Sequence, residues 1–228
     1  MAHRNRRTLG DALYDLFHPV EARARREQEE QEEREARAAR EEYGKKMERR
    51  TFNELRKLTW RGCYYIFSDL PTRHAGNIDH LVVGPEGLTI VETKANSGAV
   101  EAHEIPGGKV VITVGGRELH RDLIKQLRAQ MWDVCERAGM KTGPDDTSGM
   151  NWIACFPSGR EGRSLTPQAR MHIANISDLL MKVRAPQRRM DDEMVQAVAS
   201  AVSRIYERPP SATPAQPDIG PEGRNRGT

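Results

Sequence analysis

The sequence predicts an α/β domain with a central β-sheet flanked by helices. Three observations carry that expectation. Runs rich in valine, isoleucine and tyrosine recur between residues 63 and 114, separated by turns bearing glycine and proline. A strongly amphipathic stretch follows, with Leu119, Leu123, Leu127, Met131, Val134 and Ala138 on one helical face and Gly139 as its stop signal. Two more apolar runs, 151–156 and 171–176, precede a short helical stretch and a longer final one. The result is a sandwich of roughly 140 to 160 residues, an ordinary size for one domain.

Along the chain, residues 1–20 mix basic and apolar positions, and Leu9, Leu13, Leu16 and Phe17 have helical spacing. Glu, Arg, Ala and Gln dominate residues 21–50. Acid-first pairs four apart, such as Glu30–Arg34 and Glu41–Lys45, each support an exposed helix by about 0.2–0.5 kcal/mol. No heptad seam exists for a coiled coil. The segment reads as a solvated helix, with a docking or self-association arm as the alternative. From about residue 44 the character changes, and Phe52, Leu55 and Leu58 space as a helical face. Runs 63–67, 78–83, 88–94, 99–104 and 109–114 read as strands. Gly84-Pro85-Glu86-Gly87 closes one hairpin and Pro106-Gly107-Gly108 another. Residues 143–149 form a polar loop. Ser177 is expected to cap a short helix through Val183, and a final helix near 191–206 presents Met194, Val198, Val202 and Ile205. Pro209, Pro210, Pro214, Pro217 and Pro221 mark a disordered tail. The expected organisation is a charged helical extension over 1–43, a core over 44–207 and a tail over 208–228.

Composition bounds the function. Hydrophobic residues make up 37% and charged residues 30%, so solvated segments accompany the core. A net charge of +3 permits a local basic patch for nucleic acid without demanding one. Cys63, Cys135 and Cys155 show no CxxC spacing, which argues against a zinc site or a disulfide framework. No apolar run spans a bilayer, and the basic N-terminus lacks a hydrophobic signal core. A cytoplasmic protein without membrane partners is expected.

The 84–87 hairpin concentrates the chemistry. If Val83 and Leu88 close a four-residue loop, Leu81 faces Ile90 and Asp79 faces Glu92. Strand side chains alternate, so all four share a face, and Lys94 joins them two residues on. Opposed Cβ atoms lie about 4.5–5.5 Å apart, close enough for two carboxylates to repel unless a cation sits between them. Hard Mg²⁺ suits carboxylate oxygens. Lys94 adds an ammonium on that face, a group able to orient or deprotonate a water held by such a cation. A one-residue slip in register would remove the pairing.

The stretch from Asn77 to Lys94, with its Ile78-Asp79-His80 strand, Gly84-Pro85-Glu86-Gly87 turn and Glu92-Thr93-Lys94 strand, resembles the signature of the NERD (nuclease-related domain) family. Ser97-Gly98 resembles the glycine that follows in that family. The family belongs to the PD-(D/E)XK nuclease superfamily, and the resemblance covers roughly residues 44–157. It implies a restriction-endonuclease-like core with a central mixed β-sheet, and a nuclease using Mg²⁺ or Mn²⁺ on nucleic acid, DNA favoured over RNA. Asp79 and Glu92 would bind the metal, the Thr93 carbonyl would be a main-chain ligand, and Lys94 the catalytic lysine. An acid on the preceding helix is also implied, best matched by Glu48 and next by Glu54. Gln126 matches the glutamine on the following helix. Met47 and Asp122-Leu123 stand where the family often has glycine and Asn-Pro, and the family's tryptophan between hairpin and helix is absent.

Other residues point elsewhere. His80 alternates away from Asp79 and reads as structural; His74 and His103 read as surface residues. Gly115-Gly116 is a turn, since no Gly-Lys-Ser/Thr follows. Arg160, Arg163 and Arg170 read as charges around a flexible Ser-Gly loop, and Trp60, Tyr64 and Trp132 as core. A non-catalytic nucleic-acid- or protein-binding module with the same fold is the competing function.

Overall fold

The computed structural model describes residues 17–60, 62–73, 75–105, 109–119, 122–139, 150–161, 171–185 and 190–214. Residues 1–45 and 46–228 form two compact units. Helix α1, Pro19–Leu55, runs through the end of the first into the second. Its first-unit part is nearly all exposed and carries Arg23–Glu27, Glu30–Arg34 and Arg37–Glu41 pairs at 2.9, 3.5 and 3.1 Å. High helix propensity and these pairs account for a helix without an apolar stripe. The other apolar positions of the N-terminal segment, Leu9, Leu13 and Leu16, lie outside the described residues, and Phe17 is exposed.

In the second unit α1 ends in a 3-10 turn, Arg56–Trp60. The strands are β1 Tyr65–Leu70, β2 Ile78–Gly84, β3 Gly87–Thr93, β4 Ser97–Ile105, β5 Lys109–Val114, β6 Arg117–Glu118, β7 Met150–Cys155, β8 Ser158–Glu161 and β9 Met171–Ala174. Helix α2 is Leu123–Arg137, α3 Leu179–Val183 and α4 Asp192–Tyr206. One mixed sheet has the order β1-β2-β3-β7-β9. β1 to β3 are antiparallel, while β3, β7 and β9 are parallel. The β7 run Met150–Cys155 is buried throughout, as a parallel strand covered on both faces requires. A second sheet, β6-β5-β4-β8, follows β3.

Alternation along the strands splits the core in two. Leu81, Val83, Ile90, Trp152 and Ile173 pack with Leu123, Leu127 and Met131 of α2 and Val195, Ala199 and Val202 of α4. On the opposite face Ile66, Val82, Val91, Ile153 and Cys155 pack with Leu55, Leu58, Leu179 and Val183. Helices therefore cover both faces of a mixed sheet, the restriction-endonuclease-like arrangement expected.

Several local expectations are corrected. Leu119 does not open α2; its N–H donates to the Ile112 carbonyl at 2.9 Å, extending the β5–β6 hairpin. Gly115 and Gly116 form the tight turn of that hairpin, both at positive φ. Asp122 caps α2 by accepting from the Lys125 N–H. Ser177 is not a cap either: Asp178 precedes α3, and Ser177 donates to the Asn175 side chain. In α4 the buried stripe is Val195, Ala199, Val202 and Tyr206, turned from the expected set, with Met194 exposed. Ser158–Glu161 is a strand parallel to β4 rather than a loop, while Arg163 and Arg170 lie outside the described residues, as does the 143–149 segment. Trp60 and Trp132 are 68% and 46% exposed, and only Tyr64 of the three aromatics is core. All three cysteines are free, two of them buried. Ala212 bridges to Ile66, so the start of the proline-rich stretch pairs with β1. No helix among the described residues is long and apolar enough to cross a membrane.

Gly84 sits against the Tyr64 ring, where an added Cβ would overlap Cδ1 and Cε1. The ring is held by the Tyr64 hydroxyl, which donates to Glu86. Gly84→Ala is therefore expected to cost about 1–3 kcal/mol, the range for forced overpacking. Urea unfolding of the two proteins checks this, and equal midpoints would show that the ring moves aside freely.

Candidate active site

The β2–β3 ladder pairs Gly84 with Gly87, Val83 with Leu88, Leu81 with Ile90 and His80 with Val91. The register is the one anticipated, although Gly84↔Gly87 tightens the loop to two residues. The ladder stops one residue short of Asp79 and Glu92. Instead of simply facing Glu92, the Asp79 carboxylate accepts from the Thr93 N–H, Oδ2 to N 2.7 Å. The Lys94 N–H donates to the Cys155 carbonyl at 2.8 Å, tying the end of the hairpin to β7.

Helix α2 covers the acid-bearing face. Its apolar residues Leu123, Leu127 and Met131 fix it on the sheet, which brings two amides one turn apart over Glu92. Gln126 Nε2 donates to Glu92 Oε1 at 2.8 Å, and Gln130 Nε2 donates to Oε2 at 3.2 Å and to the Asn77 carbonyl at 3.0 Å. Lys94 Nζ lies 2.7 Å from Glu92 Oε1. Both partners of that ion pair are largely buried.

The electrostatics are unbalanced. Glu92 has three donors, whereas Asp79, half-buried, has the single Thr93 N–H among the described residues. Burial first, and the Glu92 charge second, push the Asp79 carboxyl up to about 7. Glu48 raises it further, while the Thr93 hydrogen bond and Lys94 oppose the shift. Among the described residues no three His, Cys, Asp or Glu side chains gather to hold a metal. The cluster instead comprises two acids, a lysine and two amides.

The sequence-predicted residues separate accordingly. Asp79, Glu92, Thr93, Lys94 and Gln126 come together. The Glu48 charge reaches Asp79, but Glu48 does not join the acids in a three-acid cluster. Glu54 is bound to Lys57 at 2.7 Å. His80 lies on the other face, buried, with Nδ1 3.0 Å from Ser68 Oγ and its ring centroid 6.1 Å from Phe52. Burial lowers it to about 4, so it is neutral at neutral pH. His103 is exposed beside Glu101, and His74 lies outside the described residues. Gln130 was not anticipated. Its signal is a glutamine between Leu127 and Met131 on the apolar stripe, four residues after Gln126. Such a polar residue in a packed face needs a buried partner, and here Glu92 supplies one. Gln126 Oε1 and Gln130 Oε1 remain buried without a partner among the described residues, at about 1–3 kcal/mol each.

A mixed sheet between helices, with its acid-bearing hairpin under a central helix, is consistent with a restriction-endonuclease-like fold. Residues 43–144 match the family model of the nuclease-related domain, NERD. Neither a curated protein nor a solved structure matches the chain.

Proposed function

We propose that the chain is a divalent-metal-dependent nuclease that hydrolyses phosphodiester bonds, with DNA favoured over RNA and Mg²⁺ or Mn²⁺ as its cofactor. The observation that carries the reading is the meeting of Asp79, Glu92 and Lys94 at the open end of one hairpin inside the segment that matches the nuclease-related domain. The donor set fits a hard cation: two carboxylates, one of them short of hydrogen-bond donors, beside the main chain of Thr93. Asp79, Glu92 and the Thr93 carbonyl would hold the metal, with Glu48 contributing charge from the helix. When bound, such a cation stabilises charge on the scissile phosphate and lowers the pKa of a water. Gln126 holds Glu92 in place, and the Lys94 ammonium orients the attacking water. A cytoplasmic location accords with three free cysteines. The exposed charged helix at 19–45 offers an arm for a protein partner or a second copy of the chain.

A second reading keeps the fold as a non-catalytic binding module. The Lys94–Glu92 contact favours it, because that pair already neutralises one acid. Incubation of the purified protein with DNA and Mg²⁺ or Mn²⁺ separates the two. Cleavage is expected, with a loss of at least about a hundredfold in Asp79→Ala. Cleavage undiminished in that variant would sink the assignment. A binding module would show no carboxylate-dependent divalent affinity.

A further inference from the structure

Backbone pairing does not set the distance between the two acids. The β2–β3 ladder ends at His80↔Val91, so neither Asp79 nor Glu92 is a ladder pair. Two cross-links operate beyond that point. One is the Thr93 N–H to Asp79 Oδ2 bond. The other is the Gln130 amide, whose Nε2 donates both to Glu92 Oε2 and to the carbonyl of Asn77, two residues before Asp79. A single side chain thus grips the acid of β3 and the main chain that leads into the acid of β2. Gln126 also donates to Glu92 but makes no hydrogen bond to β2 among the described residues. Gln130 is fully buried between Leu127 and Met131, so the helix core fixes where its amide sits. Its Oε1 is buried and unpartnered among the described residues, a cost an apolar side chain of the same size would avoid.

We infer that Gln130 is a positioning residue that sets the spacing of Asp79 and Glu92 and through it the affinity of the pair for a divalent cation. The inference rests on the reading of those two acids as cation ligands. Partners of this kind, one step removed from a metal, typically change affinity 10–100-fold when lost.

Two variants of the full chain test it. Gln130→Met keeps the volume and removes both hydrogen bonds. Gln130→Asn keeps an amide one methylene too short to bridge both acceptors, and serves if the first variant fails to fold. Titration with Mn²⁺ alone by calorimetry should give about 10- to 100-fold weaker binding in each. In the metal-free protein the Thr93 amide should exchange with solvent about tenfold faster, with the ladder residue Val91 unchanged; Gln126→Met should leave Thr93 as it is. Wild-type Mn²⁺ affinity together with wild-type Thr93 exchange in both Gln130 variants would overturn the inference. A wild-type protein that binds no Mn²⁺, with Thr93 exchange still accelerated in the variants, would remove the nuclease reading and leave Gln130 as the residue that spaces the acids.

Discussion

Lys94→Met is expected to abolish cleavage and, at the same time, to tighten divalent-cation binding. Lys94 Nζ lies 2.7 Å from Glu92 Oε1, and both side chains are largely buried. A cation that takes Glu92 as a ligand must compete with that ammonium. Methionine preserves the apolar stem and deletes the competitor, leaving two carboxylates with less positive charge near them. Removing a partly buried competing charge worth about 1.4 kcal/mol would tighten binding about tenfold. Under the proposed hydrolysis, in which Lys94 orients the attacking water, its loss lowers the rate by about 10² to 10⁴. Calorimetric titration with Mg²⁺ and Mn²⁺, beside a DNA cleavage assay, separates the effects. Weaker metal binding in Lys94→Met would show that the lysine supports the cation and does not compete with it.

Asp79→Asn is expected to split stability from function. Burial and the neighbouring Glu92 charge raise the Asp79 carboxyl from 3.8 to about 7 in the folded chain. The folded state therefore holds this proton more tightly than the unfolded state does. Its contribution to stability is fully present below about pH 4, falls as pH rises toward 7, and is lost above that. Asparagine resembles the neutral form at every pH. The variant should accordingly be more stable than the parent at pH 8 by on the order of 1 kcal/mol, with the difference shrinking toward pH 4. Metal addition should stabilise the parent and not the variant, since only the parent keeps both acids. Urea midpoints at pH 4, 6 and 8 with chelator, and at pH 8 with Mg²⁺, check all three points. A variant less stable than the parent at pH 8 would mean that the Thr93 hydrogen bond outweighs burial and repulsion at this carboxylate.

Both predictions start from a hairpin whose register was legible in the sequence. Leu81 faces Ile90 and Val83 faces Leu88 as the Gly84–Gly87 turn implies, because the turn and its loop length fix the register of a hairpin. The placement of Asp79, Glu92 and Lys94 at one end follows from that periodicity alone. Helix α2 was legible from its apolar stripe, but its start was not. Leu119 fits the helical spacing, yet its N–H is taken by Ile112 across the β5–β6 hairpin. Periodicity cannot register a competing hydrogen bond from another strand. The same limit explains Ser158–Glu161: a short Ser-Gly segment looks like a loop until β4 lies parallel beside it. It also explains Trp60 and Trp132, whose bulk suggests burial although their faces meet solvent.

For this protein, then, the sequence by itself determined the layers of the sandwich, the hairpin register and the meeting of Asp79, Glu92 and Lys94 at one end of the hairpin, because local periodicity and turn geometry are written within a few residues of one another. Only the tertiary structure decided how those residues are held. The ladder ends before the acids, the Thr93 N–H turns to Asp79, and α2 lays Gln126 and Gln130 over Glu92 from 34 and 38 residues away. It also showed the Glu48 charge reaching Asp79 while Glu54 is taken by Lys57. Those outcomes depend on how a helix seats on a sheet, a packing result between distant segments that no local pattern encodes.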